Sequence, residues 1–299
     1  MCFYRICKFF VRNIIVFAVF GVLSSCEKEI DFKYHEIEPL TVIEGELTSY
    51  GAKVSITLTT PMDESMDRIR LTDATVIVSD LTAGTQCYLT ADPEGFFIDT
   101  TAGIPGHDYR LSVERNGHTY CMETLMYAQT EIVDASFNWI SMPYDKVAVF
   151  QVRYLDNTAD TGDCYWVKLY RNGEIYSWQE QDDRTATDGI NTFMTMTSRK
   201  DTDEEEDDEV LFDGDVMTVT VTPISREMHD YLEALQNGSN GPSLFSGPRV
   251  LGYFIASDPV SRSVIFHPEE IVDYNLGLSG QPFNGPDIST SRHGPKAIR

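Results

Sequence analysis

Lys53-Val-Ser-Ile-Thr-Leu-Thr59 alternates apolar and polar side chains without a break. A period of two puts Val54, Ile56 and Leu58 on one face of an extended chain and Ser55, Thr57 and Thr59 on the other. That is the pattern of a half-buried β-strand. Working outward, Ala74-Thr-Val-Ile-Val-Ser79 lies between Asp73 and Asp80, and Cys87-Tyr-Leu-Thr90 runs to a turn at Asp92-Pro-Glu-Gly95. Phe96-Phe-Ile98 follows, then a turn at Gly103-Ile-Pro-Gly106 and the strand Tyr109-Arg-Leu-Ser-Val113. Asn116-Gly117 supplies the pair of left-handed residues that a type I′ hairpin needs, returning the chain through Thr119–Met122. Short strands with turn signals at this spacing predict a β-sandwich.

Past a junction at Leu125–Ile132 the strand pattern resumes. Val147–Tyr154, Tyr165–Tyr170, Glu174–Trp178, Asn191–Thr197 and Met217–Thr222 read as strands, with a second Asn-Gly turn at Asn172-Gly173. One helix is expected over 225–237. Ser225 is its N-cap, Met228, Tyr231, Leu232 and Leu235 form one apolar stripe, and Gly238 closes it. On that spacing His229 falls on the polar side. Arg249–Ala256 and Ser263–Phe266 read as the last strands, and no repeat of fixed period is present.

The other end of the chain announces a location. Ile14-Ile-Val-Phe-Ala-Val-Phe-Gly-Val-Leu-Ser-Ser-Cys26 follows Arg5, Lys8 and Arg12. A basic segment, a short apolar run and small residues before the cut make a secretory signal. A cysteine directly after the small residues makes it a lipoprotein signal, with Cys26 as the lipidated residue. The apolar run is too short to cross a hydrocarbon core, which takes roughly 20 residues.

Without residues 1–25 the chain carries 20 Lys and Arg against 47 Asp and Glu, a net charge of −27 over 274 residues. Nucleic acid and anionic bilayers both require a basic face, so electrostatic binding to either is excluded. Cys87, Cys121 and Cys164 are then the remaining thiols. A Cys87–Cys121 disulfide is the pair to consider after export, but Tyr120 and Met122 read as inward, which turns Cys121 outward while Cys87 shares a face with Leu89.

Catalytic motifs are missing. The chain has no GxSxG, HExxH, P-loop or GxGxxG, its six histidines are scattered, and its many carboxylates single out no acid–base pair. No enzyme activity and no cofactor are expected, with a hydrolase kept only as a residual alternative. Ten carboxylates and no base occupy Asp201–Asp215. Self-repulsion makes this a solvated, extended loop. Hard oxygen ligands such as Asp203, Glu205 and Asp207 also suit calcium, although Glu206 stands where an EF-hand loop needs glycine. Among the aromatics of the second half, Trp166 and Trp178 are the candidates for ligand-stacking platforms. The alternative for strand aromatics is core packing or cross-strand pairing.

Several stretches together carry a resemblance: Leu23-Ser-Ser-Cys26 with Glu27-Lys-Glu29, Leu71-Thr-Asp-Ala-Thr-Val76, Gly106-His-Asp-Tyr-Arg-Leu111, Ile224-Ser-Arg-Glu-Met-His-Asp-Tyr-Leu232 and Val250-Leu-Gly-Tyr-Phe254. In this order and spacing the chain resembles the Bacteroidetes lipoproteins grouped as domain-of-unknown-function family 4249. The resemblance implies an outer-membrane lipoprotein with an N-terminal immunoglobulin-like domain, often encoded beside a TonB-dependent receptor, and it brings no catalytic residues. The acidic residues after Cys26 resemble a surface-export signal.

The expected organisation is a signal peptide over 1–25, a lipidated tether over 26–40 and an immunoglobulin-like β-sandwich over 41–128. A second antiparallel β domain carrying the helix spans 129–270, and a loose tail spans 271–299. The expected function is that of a lipid-anchored, surface-exposed, non-enzymatic accessory to a TonB-dependent β-barrel receptor in nutrient uptake. The alternative is a free-standing binding or adhesion module for an extracellular polymer.

Overall fold

The computed structural model describes residues 38–60, 69–142, 146–156, 162–199, 210–239, 241–271 and 273–274. Every described strand lies in the unit Pro39–Arg299. The protein is mainly β: an immunoglobulin-like sandwich followed by a second antiparallel β domain that carries one amphipathic helix.

The first sandwich uses β1 (Thr41–Thr48), β2 (Gly51–Leu58), β3 (Thr75–Asp80), β4 (Thr85–Ala91), β5 (Phe97–Asp99), β6 (Asp108–Arg115) and β7 (His118–Leu125). Along the sheet the order is β1-β2-β5-β4-β3-β6-β7. Only Thr90 and Ala91 of β4 pair with β5. At that seam the ribbon folds over, and Ile43, Val54 and Ile56 of one half meet Val76, Leu111, Val113 and Tyr120 of the other in one core. The alternation in β2 decides this, since Val54 and Ile56 are fully buried.

Strands β8 (Ile132–Ser141), β9 (Lys146–Leu155), β10 (Cys164–Arg171), β11 (Glu174–Asp182), β12 (Ile190–Arg199), β13 (Val216–Ile224) and β15 (Val260–Ile265) build the second sandwich. Its sheets run β12-β9-β8-β16 and β11-β10-β13-β15, with β16 the two residues Asp273–Tyr274. Leaving β16 aside, the seven strands repeat the first sandwich. In both, the first, second and fifth strands share one sheet, and the fourth, third, sixth and seventh share the other. Aromatics fill this core: Phe137 packs against Phe150 and Phe266 at 4.8 and 5.0 Å, and Tyr154 meets Tyr165 edge-on at 4.9 Å. Both Asn-Gly turns adopt left-handed backbone, with φ of 52° and 74° at Asn116-Gly117 and 51° and 91° at Asn172-Gly173.

Between β13 and β15 the chain leaves the second sandwich. Helix α1 (Arg226–Gln236) is capped by Ser225, whose Oγ accepts from the Met228 N–H at 3.1 Å. Then β14 (Leu251–Ala256) lies parallel on β1, with Val42 opposite Leu251 and Leu47 opposite Ala256. A strand that falls by sequence within 129–270 therefore completes a sheet of the first sandwich. Phe254 and Ala256 enter the first core, and Ile255 enters a third cluster with Met228, Tyr231, Leu232 and Trp166. Covering β14 on both faces buries Phe254 completely and Ile255 almost so, each worth about 1.5–3 kcal/mol by transfer.

Gly252 makes the close approach possible. Its φ is +113°, and a Cβ there would stand 1.8 Å from the Ile43 carbonyl oxygen. The strand and the segment leading into it also touch β7. Ser246 exchanges hydrogen bonds with Cys121 of β7 at 2.8 and 3.2 Å, and the Phe254 N–H donates to the Met122 Sδ at 3.1 Å.

Candidate functional site

The contact between the sandwiches gathers the chemistry. On β10, Trp166 and Lys168 point to the same side, opposite Glu180 and Trp178 of β11. Tyr253 of β14 meets Trp166 edge-on with ring centroids 5.6 Å apart, and Trp178 does so at 6.1 Å. The Lys168 ammonium sits 3.7 Å above the Trp166 ring and 3.9 Å from Glu46 of β1. Burial pulls the Lys168 pKa down, against the opposing pull of Glu46 and Glu44. Burial likewise drives the Tyr253 phenol far above its ordinary range, with Glu46 and Glu44 adding to the shift.

The structure thus brings Trp166 and Trp178 together, as the stacking idea requires, but it does not leave Trp166 open. Trp166 is 8% exposed, with Lys168 on its face and two rings against its edges. It is a packing anchor between the sandwiches, which corrects its reading as a platform. Trp178 is half-buried, and its carbonyl accepts from Gln236 Nε2 of α1. The Trp166 Nε1 and Glu180 Oε2 atoms are both buried without a hydrogen-bond partner.

Helix α1 holds a surprise for periodicity. His229, placed on the polar side by spacing, is 7% exposed and pairs through Nδ1 with Asp230 at 3.2 Å. Contact with the second sandwich widens the buried stripe beyond what the helix alone shows. His229, Asp230 and Glu233 bring donor atoms within 4.8 Å of one another, and both acids are exposed. The i, i+4 spacing of His229 and Glu233 was the available signal.

Near the start of α1, Asp182 accepts from both Arg184 and Arg226. Burial raises its carboxyl pKa, yet the Arg184 N–H and the two guanidinium groups hold it below the usual range. In the first sandwich, the Tyr109 hydroxyl accepts from the Ile104 N–H at 2.9 Å and donates to Asp80 at 3.1 Å. This is a tyrosine corner of the immunoglobulin type, with the hydroxyl bonded back to the backbone five residues upstream.

Cys87, Cys121 and Cys164 are free thiols. Cys87 on β4 and Cys121 on β7 are separated by β3 and β6. Three strand spacings, about 14 Å, exceed disulfide reach. Cys26, Asp203, Glu205 and Asp207 lie outside the described residues. Among the described residues, no helix is long and apolar enough to cross a membrane.

Strand order and core define a protein of two immunoglobulin-type sandwiches fastened by a returned strand. The model of a domain of unknown function, DUF4249, matches residues 27–263, and the chain belongs to that family. No curated protein matches it. Among solved structures, a segment of two fibronectin type III domains from chicken tenascin is similar at 13% identity. It covers 77% of this chain and 100% of its own, with a TM-score of 0.25. A cytokine receptor complex is similar at 10% identity, covering 75% of this chain and 95% of its own, with a TM-score of 0.24.

Proposed function

We propose that this chain is a lipid-anchored, non-enzymatic accessory of a TonB-dependent outer-membrane receptor, held at the cell surface through Cys26. The observation that carries the reading is the Leu23-Ser-Ser-Cys26 ending of a basic and apolar leader, with acids at Glu27 and Glu29. Family membership supports it. The returned strand adds a physical reason for a binding role. It bridges the two sandwiches, so a partner meets preformed surfaces and spends little on ordering them.

An anchor also confines the chain to the plane of its partner, raising the effective concentration so that a weak interface suffices. A tether of about fourteen residues reaches at most ~50 Å when extended and far less as a coil.

The test joins labelling to capture. Radiolabelled palmitate should enter the wild-type chain and not Cys26→Ala. A β-barrel receptor should co-purify with wild type from mild detergent and be largely lost with Cys26→Ala. Equal label in both chains overturns the anchor. Crosslinking of intact cells that captures no barrel protein, or tight polysaccharide binding by the purified chain alone, replaces the accessory role with a free-standing binding module.

A further inference from the structure

One turn of helix α1 collects three side chains with metal-binding atoms. His229, Asp230 and Glu233 each offer one donor, a ring nitrogen or a carboxylate oxygen, and the three donors lie within 4.8 Å of one another. Among the described residues this is the one such group. His229 and Glu233, at i and i+4, stand one above the other on the helix. Asp230 joins them through its carboxylate, which lies 3.2 Å from His229 Nδ1.

The turn is held in place at both ends. Ser225 caps the helix, Arg226 donates to Asp182 of β11 at 3.3 Å, and Gln236 Nε2 donates to the Trp178 carbonyl of the same strand at 3.1 Å. His229 is 7% exposed, while both acids are exposed. Packing therefore fixes the imidazole, and the two carboxylates are free to turn toward an ion. Arg226 directs its guanidinium to Asp182 and the Gly162 carbonyl and feels Asp230 through space. On β11, between the two residues tied to α1, Glu180 keeps its Oε2 buried without a hydrogen-bond partner. It stands opposite Trp166, which shares a cluster with Met228, Tyr231 and Leu232 of α1. Glu180 is not one of the three donors, but its uncompensated carboxylate favours a cation near this helix.

A ring nitrogen with two carboxylate oxygens suits zinc and its late first-row neighbours, whereas calcium takes about six to eight oxygens. Zinc ligands about 2.1 Å from the ion at tetrahedral angles stand ~3.4 Å apart. Donors already within 4.8 Å reach that spacing by rotation of the two exposed acids. We propose that His229, Asp230 and Glu233 bind one divalent transition-metal ion, zinc by preference, with the fourth position open to solvent. The site is distinct from the acidic run Asp201–Glu209 and does not rest on a receptor partner.

Zinc titration of the purified full chain by calorimetry, after stripping with EDTA and dialysis, tests this. One equivalent should bind per chain. The double variant Asp230→Asn, Glu233→Gln changes only exposed positions, and it should weaken that binding by at least about tenfold. Deletion of 203–209, and His267→Asn, which removes the imidazole beside Asp213, should each leave it unchanged. Zinc X-ray absorption on the wild-type chain needs no variant. It should show nitrogen and oxygen at about 2.0–2.2 Å with imidazole scattering, and no sulfur at ~2.3 Å. Absence of stoichiometric binding overturns the site. So does an affinity that survives the double variant, binding that disappears with 203–209 or with His267, or a sulfur shell, which would move the ion to the thiols. If the double variant fails to fold, Glu233→Gln alone decides: a tenfold loss supports the site, and wild-type affinity overturns it.

Discussion

The α-carbon of Gly252 has room for no side chain because the Ile43 carbonyl oxygen stands 1.8 Å from where a Cβ would be. That contact is backbone on backbone, so no rotamer change relieves it, and the φ of +113° adds strain for any L-residue. Gly252→Ala should lower stability by about 2–4 kcal/mol in urea titrations. Gly84→Ala is the control. Its φ of +71° carries the conformational penalty alone, with nothing within 4 Å, and its cost should be about 1 kcal/mol. Equal losses at the two positions would remove close approach as the reason for glycine.

Acid should loosen the first sandwich through Asp80. Burial pushes this carboxyl up, but the Ala83 N–H, His107 and Tyr109 hold it below the ordinary value. A depressed folded pKa contributes stability that is present above the unfolded value, near 4, and lost as pH falls through the folded value. Urea midpoints between pH 6 and pH 3 should therefore fall less steeply in Asp80→Asn than in wild type. Tyr109→Phe should cost about 1–3 kcal/mol at neutral pH, because it strands the Ile104 N–H and removes a bond to Asp80.

Cys164 should resist thiol reagents in the folded chain. Burial is the first cause that pushes its pKa up to about 12. At pH 8 only about one thiol in ten thousand is then ionised, and the thiolate is the reactive form. Iodoacetamide followed by peptide mass analysis should show Cys164 modified only after denaturation. Rapid native labelling at Cys164 would mean that this part of the second sandwich opens readily.

Ser225→Ala should destabilise by about 1 kcal/mol through loss of the cap on the Met228 N–H. Phe254→Ala should cost about 3–5 kcal/mol. Since Phe254 sits in the first core but is delivered from the second half, its loss should raise amide exchange in β1 as well as in β14. Exchange confined to β14 would argue that the first sandwich stands without its added strand.

Local features were readable where a residue dictates its own geometry. The alternation from Val54, the left-handed Asn-Gly pairs and the Ser225 cap each follow from neighbours a few positions away. Pairing of β14 with β1 was not readable, because an apolar run carries no label for a partner some 200 positions distant. The strand's one clue was Gly252 inside Leu251-Gly-Tyr253, since glycine in a strand marks close backbone approach. Trp166 shows the same limit at a candidate site. A tryptophan on a strand looks alike whether it faces solvent or a second domain, and only the returned strand and Lys168 decide between them. The repeated strand order of the two sandwiches left no sequence trace, since a shared topology needs only matching alternation and turns.

The returned strand also sets a clock on synthesis. Leu125 ends the first sandwich's own strands, and the residues that finish its edge arrive only at Ala256. At ~5–20 residues per second the ribosome takes about 7–26 s to cover that interval. Throughout it the first sandwich has β1 with one side unpaired. That edge of the sheet closes only when nearly all of the chain has been made.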